Sequence, residues 1–109
     1  MTDSEKKKTL HAFYIAGVKF HQAKTVLNEL DEGITLLMTP EPTNKYDPNA
    51  IKIEYLDKEY NPIMLGYVPK KISSQVAAAL EIGTEIECIL VKLNKTAKPW
   101  EQLEVDLRG

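Results

Sequence analysis

From His11 the chain alternates like a strand: HAFYIAGV puts Phe13 and Ile15 on one face and Tyr14, Ala16 and Val18 on the other. Both faces are apolar, as in a central strand or the wall of a small barrel. In KFHQAKTVLNELDEG, Val26, Leu27 and Leu30 have helical spacing, and Gly33 stands where a short helix could end. ITLLMT then reads as a strand, and EPTNKYDPN, dense in Pro, Asn and Asp, as a loop built from turns. AIKIEY sends Ile51, Ile53 and Tyr55 one way and Lys52 and Glu54 the other, so one face meets water. LDKEYNP is a turn and IMLGYV another short strand.

The clearest helix is PKKISSQVAAALEIG, where Ile72, Val76, Ala79 and Leu80 form one stripe and Gly83 falls at the position just past a helix end. In TEIECILVKL the pattern switches parity. Glu85 and Glu87 oppose Ile86 and Cys88, yet Ile89, Val91 and Leu93 continue the glutamate positions. A strand half-exposed and then buried on both faces suits the coiled wall of a barrel. After the loop NKTAKP, EQLEVDL alternates Leu103, Val105 and Leu107 against Gln102, Glu104 and Asp106. Five or six short strands with one clear helix predict a mainly β fold with one or two short helices, a small OB-like β-barrel. Residues 1–10, with Lys6, Lys7 and Lys8 in a run, read as a disordered polar tail, and 11–109 as one domain.

Composition narrows the picture. At 109 residues and 43% apolar, the chain can build a single core without a disulfide or metal staple. Its one cysteine, Cys88, lies on the apolar parity of a strand and reads as a buried, inert thiol. No run of 18 apolar residues and no signal-peptide pattern appears, so a soluble, cytoplasmic protein without membrane contact is expected. The net charge of −2 argues against coating nucleic acid broadly, but leaves room for a small basic pocket. The acidic residues cluster at 29–32, 54–59, 81–87 and 101–106.

Catalytic chemistry finds little footing. His11, His21 and Cys88 lack the spacing of metal ligands, and no phosphate loop, dinucleotide fingerprint or nucleophile elbow is present. Ser73 and Ser74 open a helix and read as caps. No metal, no cofactor and no enzyme activity is expected. Two segments carry more. In EPTNKYDPNAI, Asp47 could simply hold an Asx-turn, but Tyr46 beside it also sets an aromatic face next to a carboxylate. In LGYVPKKIS, Gly66 permits close backbone approach or a bulge. Lys70 and Lys71 stand at a helix start, either as solvated surface lysines or, with the free helix N–H groups, as an anion site.

Together MTPEPTNKYDPNAI and LGYVPKK, with IAGVKF upstream, resemble the HIRAN family over roughly residues 12–107. The resemblance implies an OB-like module that grips the 3′ end of single-stranded DNA, in DNA repair or at replication forks, beside a helicase or nuclease. By that pattern Asp47 takes the terminal 3′-hydroxyl and Tyr46 stacks on a base. Lys19 and Phe20 fill the basic and aromatic positions after the glycine strand, Lys70 contacts phosphate with Lys71 beside it, and Trp100 supplies a far aromatic wall. Three positions depart: His21 stands where a second stacking aromatic is expected, Tyr67 where the eukaryotic form has a histidine, and Lys45 where proline is common. The chemistry is coherent, because an ionised carboxylate accepts a hydrogen bond from a free hydroxyl but repels a terminal phosphate. His21 and the acidic net charge motivate an alternative, a protein-interaction module that keeps the scaffold without binding DNA.

Overall fold

The computed structural model describes residues 7–109. Six strands run in chain order as β1 (Thr9–Tyr14), β2 (Thr35–Pro40), β3 (Ile51–Leu56), β4 (Pro62–Tyr67), β5 (Glu87–Leu93) and β6 (Leu103–Arg108). A single helical turn, α1 (Ala23–Val26), follows β1, and the longer α2 (Lys70–Glu81) links β4 to β5. Short 3-10 turns sit at Val18–Phe20 and Pro99–Glu101. Every pairing is antiparallel, in the order β1-β6-β5-β2-β3-β4.

The sheet curls until its outer strands touch. Ala16, just past β1, exchanges both backbone hydrogen bonds with Tyr67 at the end of β4, each 2.9 Å. Gly66 makes that approach possible: a Cβ there would lie 2.3 Å from the Ala16 carbonyl oxygen and 2.6 Å from Ile15 Cγ2. Further along β4 the edge is covered instead, as the Gln22 N–H ahead of α1 donates to the Met64 carbonyl at 3.0 Å.

The inward positions of the strands make one core. Ile51, Ile53, Leu65, Leu90, Leu103, Val105 and Leu107 are all shut from water, and Ile15 and the Val76 side of α2 complete it. Each such side chain contributes roughly 1.5–3 kcal/mol of hydrophobic stabilisation. Helix α2 ends as its sequence predicts: Gly83 adopts φ +86°, its N–H donates to the Leu80 carbonyl, and the Thr84 N–H donates to that of Ala79.

Several expectations are corrected. The folded part begins before residue 11, because β1 already starts at Thr9. Lys8 and Gly109 exchange two backbone hydrogen bonds of 3.1 Å, and Lys7 forms an ion pair with Glu87. Lys6 and the five residues before it lie outside the described residues. β1 is an outer strand rather than a central one, so Tyr14 is exposed and only the Phe13–Ile15 face is packed. The parity switch in β5 comes from a bulge. Leu90 faces Val105 but Lys92 faces Glu104, so Val91 is an extra residue and the next inward position is Leu93 opposite Leu103. A second bulge on β4 places Leu65 between the Ile53–Gly66 and Glu54–Met64 pairs. Gly33 does not end a helix, since α1 stops at Val26.

Candidate nucleic-acid interface

The loop between β2 and β3 is built by its own short polar side chains. The Asn44 Oδ1 accepts the N–H groups of Tyr46 at 2.8 Å and Asp47 at 3.0 Å, while Asn44 Nδ2 donates to Glu41 Oε1 at 2.8 Å. The Asn49 N–H donates to Asp47 Oδ1 at 2.9 Å, the Asx-turn that the Asp-Pro-Asn sequence predicts. Tyr67, at the barrel closure, donates its hydroxyl to the same Glu41 oxygen at 2.7 Å. The Ser73 hydroxyl of α2 donates to Asp47 Oδ2 at 2.6 Å. The loop is thereby tied both to the end of β4 and to the first turn of α2.

These bonds set the charge of the site. Donation by Ser73 and by the Asn49 N–H, with the nearby Lys70 charge, holds the Asp47 carboxyl below the usual aspartate value. Asn44 and the Tyr67 hydroxyl do the same for Glu41. The Glu41 carboxylate in turn raises the Tyr67 phenol, helped by burial, so that Tyr67 stays a donor. Both carboxylates are ionised at neutral pH, and the ring of His21 meets that of Tyr67 edge-on, 5.5 Å between centroids at 68°.

Asp47, Tyr46, Tyr67 and Lys70 line one cleft of about 240 Å³, whose far side is Asn44 and Gly17. Gly17 also lines a second cleft of about 230 Å³, where Lys19 and Phe20 face Pro99 and Trp100. Lys19 and Pro99 continue into a third of about 270 Å³, which takes in His21 and Lys24. The aromatic rims stay open to water: Tyr46 is 85% exposed, Phe20 75% and Trp100 55%. Lys19 Nζ lies 5.1 Å from the Phe20 ring centre and Lys98 Nζ 5.4 Å from that of Trp100.

Eight of the ten positions picked from sequence therefore line a continuous series of clefts. Lys45 and Lys71 do not; both are exposed and line none of the three. His21 forms a T-shaped pair with Tyr67. Ser73 is no cap, because α2 starts at Lys70 behind Pro69. Sequence reasoning missed Glu41, Lys98 and the roles of Asn44 and Ser73. The readable signal for Ser73 was its place three and seven residues before Val76 and Leu80, a polar residue on an apolar stripe.

Among the described residues no group of three His, Cys, Asp or Glu side chains could hold a metal ion. Cys88 is buried, and burial pushes its thiol up to about 12. No helix of the described residues is long and apolar enough to cross a membrane.

The family model of the HIRAN domain matches residues 9–107. The chain belongs to the HIRAN domain family. Over 74 residues, 68% of the chain, it is 36% identical to a protein of Oryza sativa subsp. japonica named Fanconi-associated nuclease 1 homolog. The match spans 7% of that relative's length, so the chain corresponds to a small part of a much larger protein. Among solved structures, a protein from Lactobacillus plantarum shares the fold with a TM-score of 0.76 at 23% identity, covering 94% of this chain and 93% of that one. The HIRAN domain of human HLTF does so with a TM-score of 0.64 at 16% identity, covering 91% of this chain and 74% of the other. The six-stranded, nearly closed barrel of this chain is thus the OB-like fold of HIRAN domains.

Proposed function

We propose that this HIRAN domain captures the free 3′-hydroxyl end of single-stranded DNA and presents it to a nuclease or helicase, performing no bond chemistry itself. One observation carries the reading: Asp47, ionised and tethered through both oxygens, stands in the wall of a cleft that adjoins, at Gly17, a second one between exposed Phe20 and Trp100. A terminal hydroxyl donates to the carboxylate. A terminal phosphate brings like charge to the carboxylate and is repelled. Stacking on Tyr46, Phe20 and Trp100 contributes roughly 1–3 kcal/mol per base and is indifferent to sequence. Lys19, Lys24, Lys70 and Lys98 lie along the clefts or over their aromatic walls, where backbone phosphates would pass.

Fluorescence anisotropy of labelled oligo-dT tests this directly. The strand with a free 3′-hydroxyl binds at least several-fold tighter than the same strand with a 3′-phosphate, and Asp47→Ala abolishes the difference. Failure to bind either strand at low salt sinks the DNA reading. It would favour a protein-interaction module, for which the engaged His21 edge is the supporting feature.

A further inference from the structure

Among the described residues, Ser73 is the one polar side chain that folding buries, 1% exposed on a helix face otherwise packed through Ile72, Val76 and Leu80. A buried hydroxyl must find a partner. Its one proton has two acceptors in reach, Asp47 Oδ2 at 2.6 Å and the Lys70 carbonyl at 3.1 Å. The ordinary fate of a helical serine is a bond back to its own preceding turn. Here the shorter bond goes to a charged oxygen on a loop 26 residues away, and charge-assisted bonds are the stronger kind.

The consequence falls on Asp47. Its Oδ1 is held by the Asn49 N–H and its Oδ2 by Ser73, so the carboxylate cannot turn freely, and one acceptor position remains on each oxygen. Ser73 also sits in the first turn of α2 with Lys70, which lines the same cleft as Asp47. The hydroxyl therefore fixes the spacing between a group suited to a terminal hydroxyl and a cation suited to a phosphate.

We infer that Ser73 is a positioning residue that sets end specificity: through Asp47 Oδ2 it holds the carboxylate in the one orientation that separates a free 3′-hydroxyl from a blocked end. This rests on the end-capture reading. Ser73 is buried and touches no strand; it acts through Asp47 alone. The same bond lowers the pKa of the carboxyl, so its loss also moves the titration of Asp47 upward.

The test uses the whole chain as Ser73→Ala and Ser73→Thr, with oligo-dT ending in a 3′-hydroxyl or a 3′-phosphate, and follows the Asp47 carboxyl carbon by NMR titration. In Ser73→Ala the preference for the free hydroxyl falls by roughly tenfold, the equivalent of one charge-assisted hydrogen bond. Affinity for the 3′-phosphate strand stays at the wild-type level, and the Asp47 carboxyl titrates at higher pH. Ser73→Thr, which keeps the hydroxyl, retains the preference. A wild-type ratio in Ser73→Ala, or an equal fall for both strands, overturns the inference while leaving end capture standing. A wild-type protein with no preference overturns the end-capture reading itself, and the inference with it.

Discussion

Asp47 and Glu41 hold their carboxyls below the ordinary range for the same reason: donors of the fold point at the charged form, Ser73 and the Asn49 N–H for one, Asn44 and Tyr67 for the other. A group with a depressed folded value binds fewer protons folded than unfolded. Its stabilisation is complete above the unfolded value and is lost as pH falls through the folded one. Stability should therefore be flat near neutrality and decline below about pH 4.5, where the unfolded carboxyls begin to take up protons. Glu41→Gln should lower stability at pH 7 and shrink the further loss on acidification, measured by urea unfolding at pH 7 and pH 3.5. Much at this scale was legible. Asp-Pro-Asn announces its turn, and Tyr46 beside Asp47 marks an aromatic face by a carboxylate. Ser73 was not legible, because a serine near a helix start reads as a cap. Only the packing of a loop from the other side of β3 and β4 decides that it is buried.

Among the elements, the strands and α2 follow from alternation and from the Gly83 stop, and apart from β1, which ends at Tyr14 and not at Val18, their observed limits lie close to the predicted ones. The bulges are harder to read. Val91 appears in sequence only as a break in parity, which burial on both faces explains equally well until the partner strand shows Lys92 opposite Glu104. Of the two readings of β1, central strand or barrel wall, the structure keeps the wall: β1 is an outer strand with Tyr14 exposed, which alternation alone does not distinguish. Gly66 is the position where strand geometry and the clefts meet, since its lack of a Cβ lets Ala16 pair with Tyr67 and so sets Tyr67 at the cleft wall. Gly66→Ala must push backbone apart, and should cost about 1–3 kcal/mol or more. Thermal unfolding should show that loss together with weaker strand binding; a variant as stable as the parent would contradict the closure described here.

The whole molecule is acidic by two charges, yet Lys19, Lys24 and Lys70 line the clefts and Lys98 lies over the ring of Trp100 in their wall. That segregation was only half legible. The acidic clusters stand out along the chain, but the lysines are far apart in sequence, and Lys98 enters only because the Pro99–Glu101 turn lies beside Val18–Phe20. Two to four phosphate contacts would make the logarithm of affinity fall with the logarithm of salt at a slope of about −1.5 to −3. A steeper slope, near that of a protein coating the strand, would contradict a small basic pocket. A titration between 50 and 300 mM salt reads it.

In the proposed function the domain holds an end and not a strand. Competition with circular oligo-dT tests it most directly, since a circle of equal length carries the same bases and nearly the same phosphate charge but has no terminal hydroxyl. Linear oligo-dT with a free 3′-hydroxyl should displace a labelled linear strand, and the circle should do so at least several-fold less well. Equal displacement by circle and line would contradict it.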